Sequence, residues 1–133
     1  MRVAVSAMGK GLKSKVDVRF GRCTNFVIAE VEGTEIKEVR NVKNTASKQM
    51  GGAGITSSEL VARQGAKAVI TGNIGPRAMS VFKEFAIEVY HGEGTVGEAL
   101  KKFANNQLRE LSDPTGPMFM GKPAGIAKEH KRK

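Results

Sequence analysis

Residues 55–90, ITSSELVARQGAKAVITGNIGPRAMSVFKEFAIEVY, constrain the fold more than any other part of the chain, because their hydrophobic period switches between helix and strand. ITSSELVARQG reads as a helix stopped by Gly65, where a left-handed residue commonly closes a helix. AKAVIT is a short apolar run of the kind buried on both faces of a sheet. GNIGPRAMSVFKEF starts a second helix at Pro76, whose missing N–H costs nothing in a first helical turn. Ala78, Val81, Phe82 and Phe85 then recur at i, i+3, i+4 and i+7, a core-facing stripe. AIEVY returns as a strand. A strand–helix–strand unit crosses over right-handed and makes its two strands parallel neighbours.

The flanking segments complete the layout. RVAVSA (residues 2–7) reads as a first strand, followed by a long basic connection over 8–22 that is rich in glycine and lysine. NFVIAEVE (25–32) is a second strand; Gly33-Thr34 makes a hairpin turn, and EIKEVRNV returns as a third. SKQMGGAG is a flexible loop. Thr95 and Glu98 form a capping box, after which Val96, Ala99, Leu100 and Phe103 repeat the helical stripe. The economical arrangement is an α/β fold with a mixed five-stranded sheet, order 3-2-1-4-5, strand 2 antiparallel and helices on the faces. Residues 1–107 form one expected domain. Residues 108–133 hold three of the four prolines and end in a basic cluster, which reads as a flexible tail. Met118, Phe119 and Met120 give that tail an apolar patch able to dock on the body or on a partner, although a solvated tail is the simpler reading.

That strand order gathers several loops. The carboxyl ends of strands 1, 3, 4 and 5 share one edge, and strand 2 begins there. Ligands of open α/β sheets bind outside the carboxyl ends of the parallel strands. Three helices aim their N-termini at this rim, each with unpaired N–H groups and a positive dipole end. The rim therefore collects Arg19, Phe20, Gly21, Arg22 and Cys23 from one loop and Gly51, Gly52 and Gly54 from another. Gly72, Asn73, Gly75 and Arg77 come from a third. With Lys48 added, this is an expected anion site, its glycines allowing the backbone to approach a ligand.

The charge balance agrees. Formal net charge is +9, with +6 on residues 1–108 and +3 on the remainder, so the excess is not a tail effect. Such a chain favours a small anionic ligand, an anionic cluster, an acidic protein or nucleic acid. No aromatic-rich basic platform for stacking bases appears, which leaves a nucleic-acid-associated protein as the second reading. The lone cysteine forms no internal disulfide and suits a reducing cytoplasm. The apolar run Val3–Ala7, broken by Ser6, is too short for a signal peptide or a membrane span. A cytoplasmic location is expected.

Cys23 carries two readings. A small thiol at a strand entrance is ordinary core material. Alternatively, Arg19, Arg22 and the helix dipoles lower its pKa and make it a thiolate ligand. His91 follows the fifth strand on the same rim, and the two together would offer sulfur and imidazole to a cluster or a transition metal. Met8 and Met50 are soft donors that read as packing or loop residues, and His130 lies in the tail. Enzyme signatures are absent. GGAG lacks a dinucleotide fingerprint, GKGLKSK contains no contiguous Gly-Lys-Ser, and no zinc-type spacing exists. Asp17 and Asp113 are the only aspartates, too few for a two-metal nuclease centre, and Ser57 and Ser58 have no evident base. Binding is favoured over catalysis.

VDVRFGRCTNFVIAEVE, GGAGITSSELVARQGAKAVITGNIGPRAM and IEVYHGEGTVGEAL resemble the dinitrogenase iron–molybdenum cofactor biosynthesis family over roughly residues 1–105. The combination of Phe-Gly-Arg, Gly-Ala-Gly and Gly-x-Ile-Gly-Pro in that order carries the resemblance. It implies a ribonuclease H-like three-layer fold. It also implies non-catalytic binding and carriage of an iron–sulfur or iron–molybdenum cofactor precursor, with a cofactor-accepting protein as partner. Several members of the family place histidine just before Phe-Gly, where this chain has Arg19.

Overall fold

A computed structural model describes residues 1–115. Its strands are β1 (Arg2–Ala7), β2 (Asn25–Glu32), β3 (Glu35–Lys43), β4 (Ala68–Thr71), β5 (Glu88–His91) and β6 (Glu110–Leu111). Its helices are α1 (Ala53–Arg63), α2 (Pro76–Glu84) and α3 (Val96–Ala104). Phe20–Arg22 adds a single 3-10 turn. The sheet order is β3-β2-β1-β4-β5-β6. β1 pairs antiparallel with β2 and parallel with β4, and β4 pairs parallel with β5.

The expected order of the first five strands is therefore present. Gly33 takes φ 61 in the hairpin turn and Gly65 takes φ 83 just beyond α1, both left-handed as their positions require. The sheet differs from expectation in having a sixth strand. Glu110–Leu111, in the segment read as tail, pairs antiparallel with Val89 and Tyr90. Two residues carry too little pattern to read as a strand, but Leu111 buries its side chain beside β5, and that burial stabilises the pairing. Thr115 returns to the loop before α2, its N–H donating to Ile74 O (2.7 Å) while its hydroxyl accepts from Ile74 N (3.0 Å). The apolar patch at residues 118–120 lies outside the described residues.

Strand alternation divides the core in two. Ala4, Phe26, Ile28, Val69 and Val89 face α1 and α2, where Phe20, Phe82 and Val61 meet them. Val3, Val5, Val27, Ala29 and Ile70 face α3 through Val96, Ala99 and Leu100. β4 is buried along its whole length, as its apolar run predicts. Phe20 is the anchor that concerns function. Its ring lies 5.4 Å from Phe26 and 5.2 Å from Phe82, edge-on to the latter. Burying such a ring is worth about 1.5–3 kcal/mol, enough to hold the turn that follows it against the body.

Candidate functional site

The strand directions bring the expected loops to one edge of the sheet: Ala7 stands opposite Asn25, Asn25 opposite Lys43, and Thr71 beside His91. The connection after β1 does not stand away from this edge. It is a strap. Met8 N bonds Lys15 O (2.9 Å), Asp17 N bonds Ser6 O (2.9 Å) and Asn73 N bonds Val18 O (2.7 Å). A Cβ on Gly72 would lie 2.6 Å from Val18 Cα, so Gly72 is glycine to let two segments of the chain cross. It does not open space for a ligand.

The strap also uses up one helix end. Val96 N donates to Ser14 O (2.8 Å) and Gly97 N to Leu12 O (2.9 Å). Thr95 and Glu98 complete the expected capping box, with Glu98 N donating to Thr95 Oγ1 (3.1 Å) and Thr95 N to Glu98 Oε1 (3.0 Å). The backbone bond from Thr95 holds the Glu98 carboxyl below its usual range. The expectation of three helix N-termini facing a ligand is thus corrected to two, because protein oxygens already occupy the α3 amides.

The other two converge on the opposite face. Gly52, with φ 73, precedes α1, and Gly75 precedes α2 with Pro76 in its first turn; neither helix has a side-chain cap. A Cβ on Gly21 would lie 3.1 Å from Gly54 Cα and N, and one on Gly54 would lie 3.6 Å from Ala78 Cβ. The Phe20–Arg22 turn and the first turns of α1 and α2 are therefore in direct contact, and glycine permits that closeness. Arg19, Asn73, Arg77, Lys48 and Gly51 are exposed around them. Arg22 uses its guanidinium differently: Nη1 donates to Ser47 O (3.2 Å) and Gln49 O (2.5 Å), pinning the loop that leads into α1. Together these elements form the candidate anion cradle, with positive charge from the exposed Arg19, Arg77 and Lys48 and from the dipole ends of two helices.

Cys23 is beneath this cradle, not in it. It is fully buried, and its thiol donates to Phe20 O (3.2 Å). Burial first, and then the nearby Asp17 carboxylate, push the thiol pKa from 9.0 up to about 12. Of the two readings of Cys23, burial fits the neutral core thiol and not the thiolate ligand. Arg19 and Arg22, engaged with Asp17 and with the Ser47 and Gln49 carbonyls, do not offset the loss of hydration at the sulfur. His91 keeps separate company. Its Nδ1 lies 3.0 Å from Gly72 O and its Nε2 3.6 Å from Glu93 Oε2. Among the described residues no three histidine, cysteine or acidic side chains converge as a metal-binding group.

Residues 1–106 match the family model described as dinitrogenase iron-molybdenum cofactor. The chain belongs to that family. An uncharacterised member from Methanocaldococcus jannaschii is 42% identical over 99 residues, 74% of this chain and 84% of the relative. The apo form of the orange protein from Desulfovibrio gigas superposes with a TM-score of 0.78 at 34% identity, covering 86% of this chain and 95% of that one. A Thermotoga protein described as a candidate NifB superposes at 0.72 with 32% identity, covering 87% and 97%. The iron–molybdenum cofactor family and these relatives leave the nucleic-acid alternative without support.

In this family member the residues that shape the cradle include three that the sequence reading does not place there. Asn44 is buried and bonds Cys23 O (2.9 Å) through Nδ2. Ser57, buried on α1, lies 3.1 Å from Asn44 Oδ1 and 3.3 Å from Gly21 O. Asp17 is buried and accepts from Arg19 N (2.9 Å), with Arg19 Nε at 3.5 Å, which sets the entry to the turn. An asparagine after a strand reads as turn punctuation and a serine inside a helix as surface. Only Asp17, one of two aspartates, offered any signal.

Proposed function

We propose that this chain binds and carries, without transforming it, an anionic metal–sulfur cargo: an iron–sulfur or molybdenum-containing precursor of the iron–molybdenum cofactor. The observation that carries the reading is the contact between two helix starts that lack side-chain caps, roofed by the Phe20–Arg22 turn and flanked by Arg19 and Arg77. Amides fixed at helix N-termini need no reorganisation when an anion arrives, and exposed arginines add charge that also steers it in. The donor set suits a cargo that keeps its own sulfur ligands and is held by hydrogen bonds and charge. Covalent attachment through Cys23 is not part of the proposal, since a buried neutral thiol is a poor metal ligand.

The chemistry proposed for the cradle is retention and release. Release would be to a cofactor-accepting protein, and a reducing cytoplasm suits such a cargo. Anaerobic incubation with iron and sulfide, or with tetrathiomolybdate, followed by gel filtration and metal analysis, tests the proposal. Metal retained in stoichiometric amount supports it. Protein that emerges bare under both conditions overturns it.

A further inference from the structure

We propose that His91 and Glu93 form a small site for a divalent transition-metal ion at the carboxyl end of β5, separate from the cargo cradle and independent of it. The imidazole is already prepared. Nδ1 lies 3.0 Å from the carbonyl oxygen of Gly72, which only accepts, so Nδ1 carries the hydrogen in the neutral ring. Nε2 is then the lone-pair nitrogen, 3.6 Å from Glu93 Oε2. A backbone carbonyl behind one ring nitrogen is the arrangement that orients metal-bound histidine and raises its basicity.

The spacing also fits. With metal–ligand bonds of about 2.1 Å, donors 3.6 Å apart subtend about 118° at a shared ion, close to the tetrahedral angle of about 109°. A shift of a few tenths of an ångström in the exposed Glu93 chain closes the gap. Its side chain is 80% exposed and that of His91 31%, so an ion reaches the pair from solvent. As a simple ion pair in that position the two would contribute little to stability. Two protein ligands leave the other positions to water, which makes the site open and of modest affinity.

The test uses the full chain with His130→Gln as background, since His91 is then the only imidazole. Zinc is titrated at pH 7.5 by calorimetry, with the ring nitrogens followed by nitrogen-15 NMR. The expected result is one site in which the Nε2 resonance moves while Nδ1 stays protonated. His91→Gln should then lower affinity at least about tenfold, and Glu93→Gln by several-fold. Both variants are checked for native fold by circular dichroism, and Glu93→Gln disturbs only an exposed side chain. Affinity unchanged by either substitution, or zinc shifts confined to other residues, overturns the site.

Discussion

Asn44 donates from Nδ2 to the carbonyl oxygen of Cys23 over 2.9 Å, while its Oδ1 accepts from Ala46 N at 3.1 Å. One buried amide thereby ties the end of the arginine-bearing turn to the loop that leads into α1. Asn44→Ala would strand buried carbonyl and N–H groups on both sides. The expected loss is about 1–3 kcal/mol, read as a lowered urea midpoint with little change in slope. An unchanged midpoint would remove Asn44 from the framework of the cradle.

Cys23 gives a pH signature with a definite sign. Its folded-state pKa is raised to about 12 from 9.0, so below pH 9 the thiol is neutral in both states and contributes no pH dependence. Above that, the unfolded chain releases the proton and the folded one does not. Stability falls by about 1.4 kcal/mol per pH unit until the folded thiol titrates as well. Other groups titrate there too, so the comparison is wild type against Cys23→Ala: the stability difference between them should narrow as pH rises from 9 toward 12. A difference independent of pH would contradict a buried neutral thiol.

The glycines of the rim separate by role. A Cβ at Gly72 collides with Val18 backbone at 2.6 Å, whereas nothing lies within 4 Å of one at Gly75. Gly72→Ala should therefore lower the melting temperature by many degrees, a loss of about 2 kcal/mol or more. Gly75→Ala should change stability by less than about 0.5 kcal/mol. Thermal denaturation of the two variants distinguishes them, and equal effects would contradict the strap's path over β4.

Gly21 is the intermediate case. Its added methyl meets Gly54 backbone at 3.1 Å, close enough to push the turn outward by a few tenths of an ångström without unfolding the chain. Gly21→Ala should leave the fold by circular dichroism intact and weaken thiometallate binding several-fold. Undiminished binding would place the ligand elsewhere.

Much of this architecture is legible in the sequence because the deciding signals are local. The hairpin at Gly33-Thr34, the Pro76 helix start and the Thr95–Glu98 capping box each fix an element by nearest-neighbour chemistry, and strand order then follows from crossover geometry. What escapes is non-local. The segment from Met8 to Arg19 becomes a strap through bonds to residues such as Asn73 and Gly94, far along the chain. The burial of Cys23 in the apolar cluster that also holds Phe20, Phe26 and Phe82 is likewise non-local, and neighbouring arginines in the sequence do not reveal it. Glu110–Leu111 is too short to announce itself and becomes a strand only because β5 offers it an edge.

The central claim is that charge and helix-start amides, not the thiol, hold the ligand. Its most direct measurement is the affinity of the anaerobic protein for tetrathiomolybdate in wild type, Arg19→Gln with Arg77→Gln, and Cys23→Ala. Binding is expected to fall at least about tenfold in the arginine pair, to weaken with added salt, and to stay within about twofold of wild type in Cys23→Ala. Binding lost in Cys23→Ala and kept in the arginine pair would contradict it.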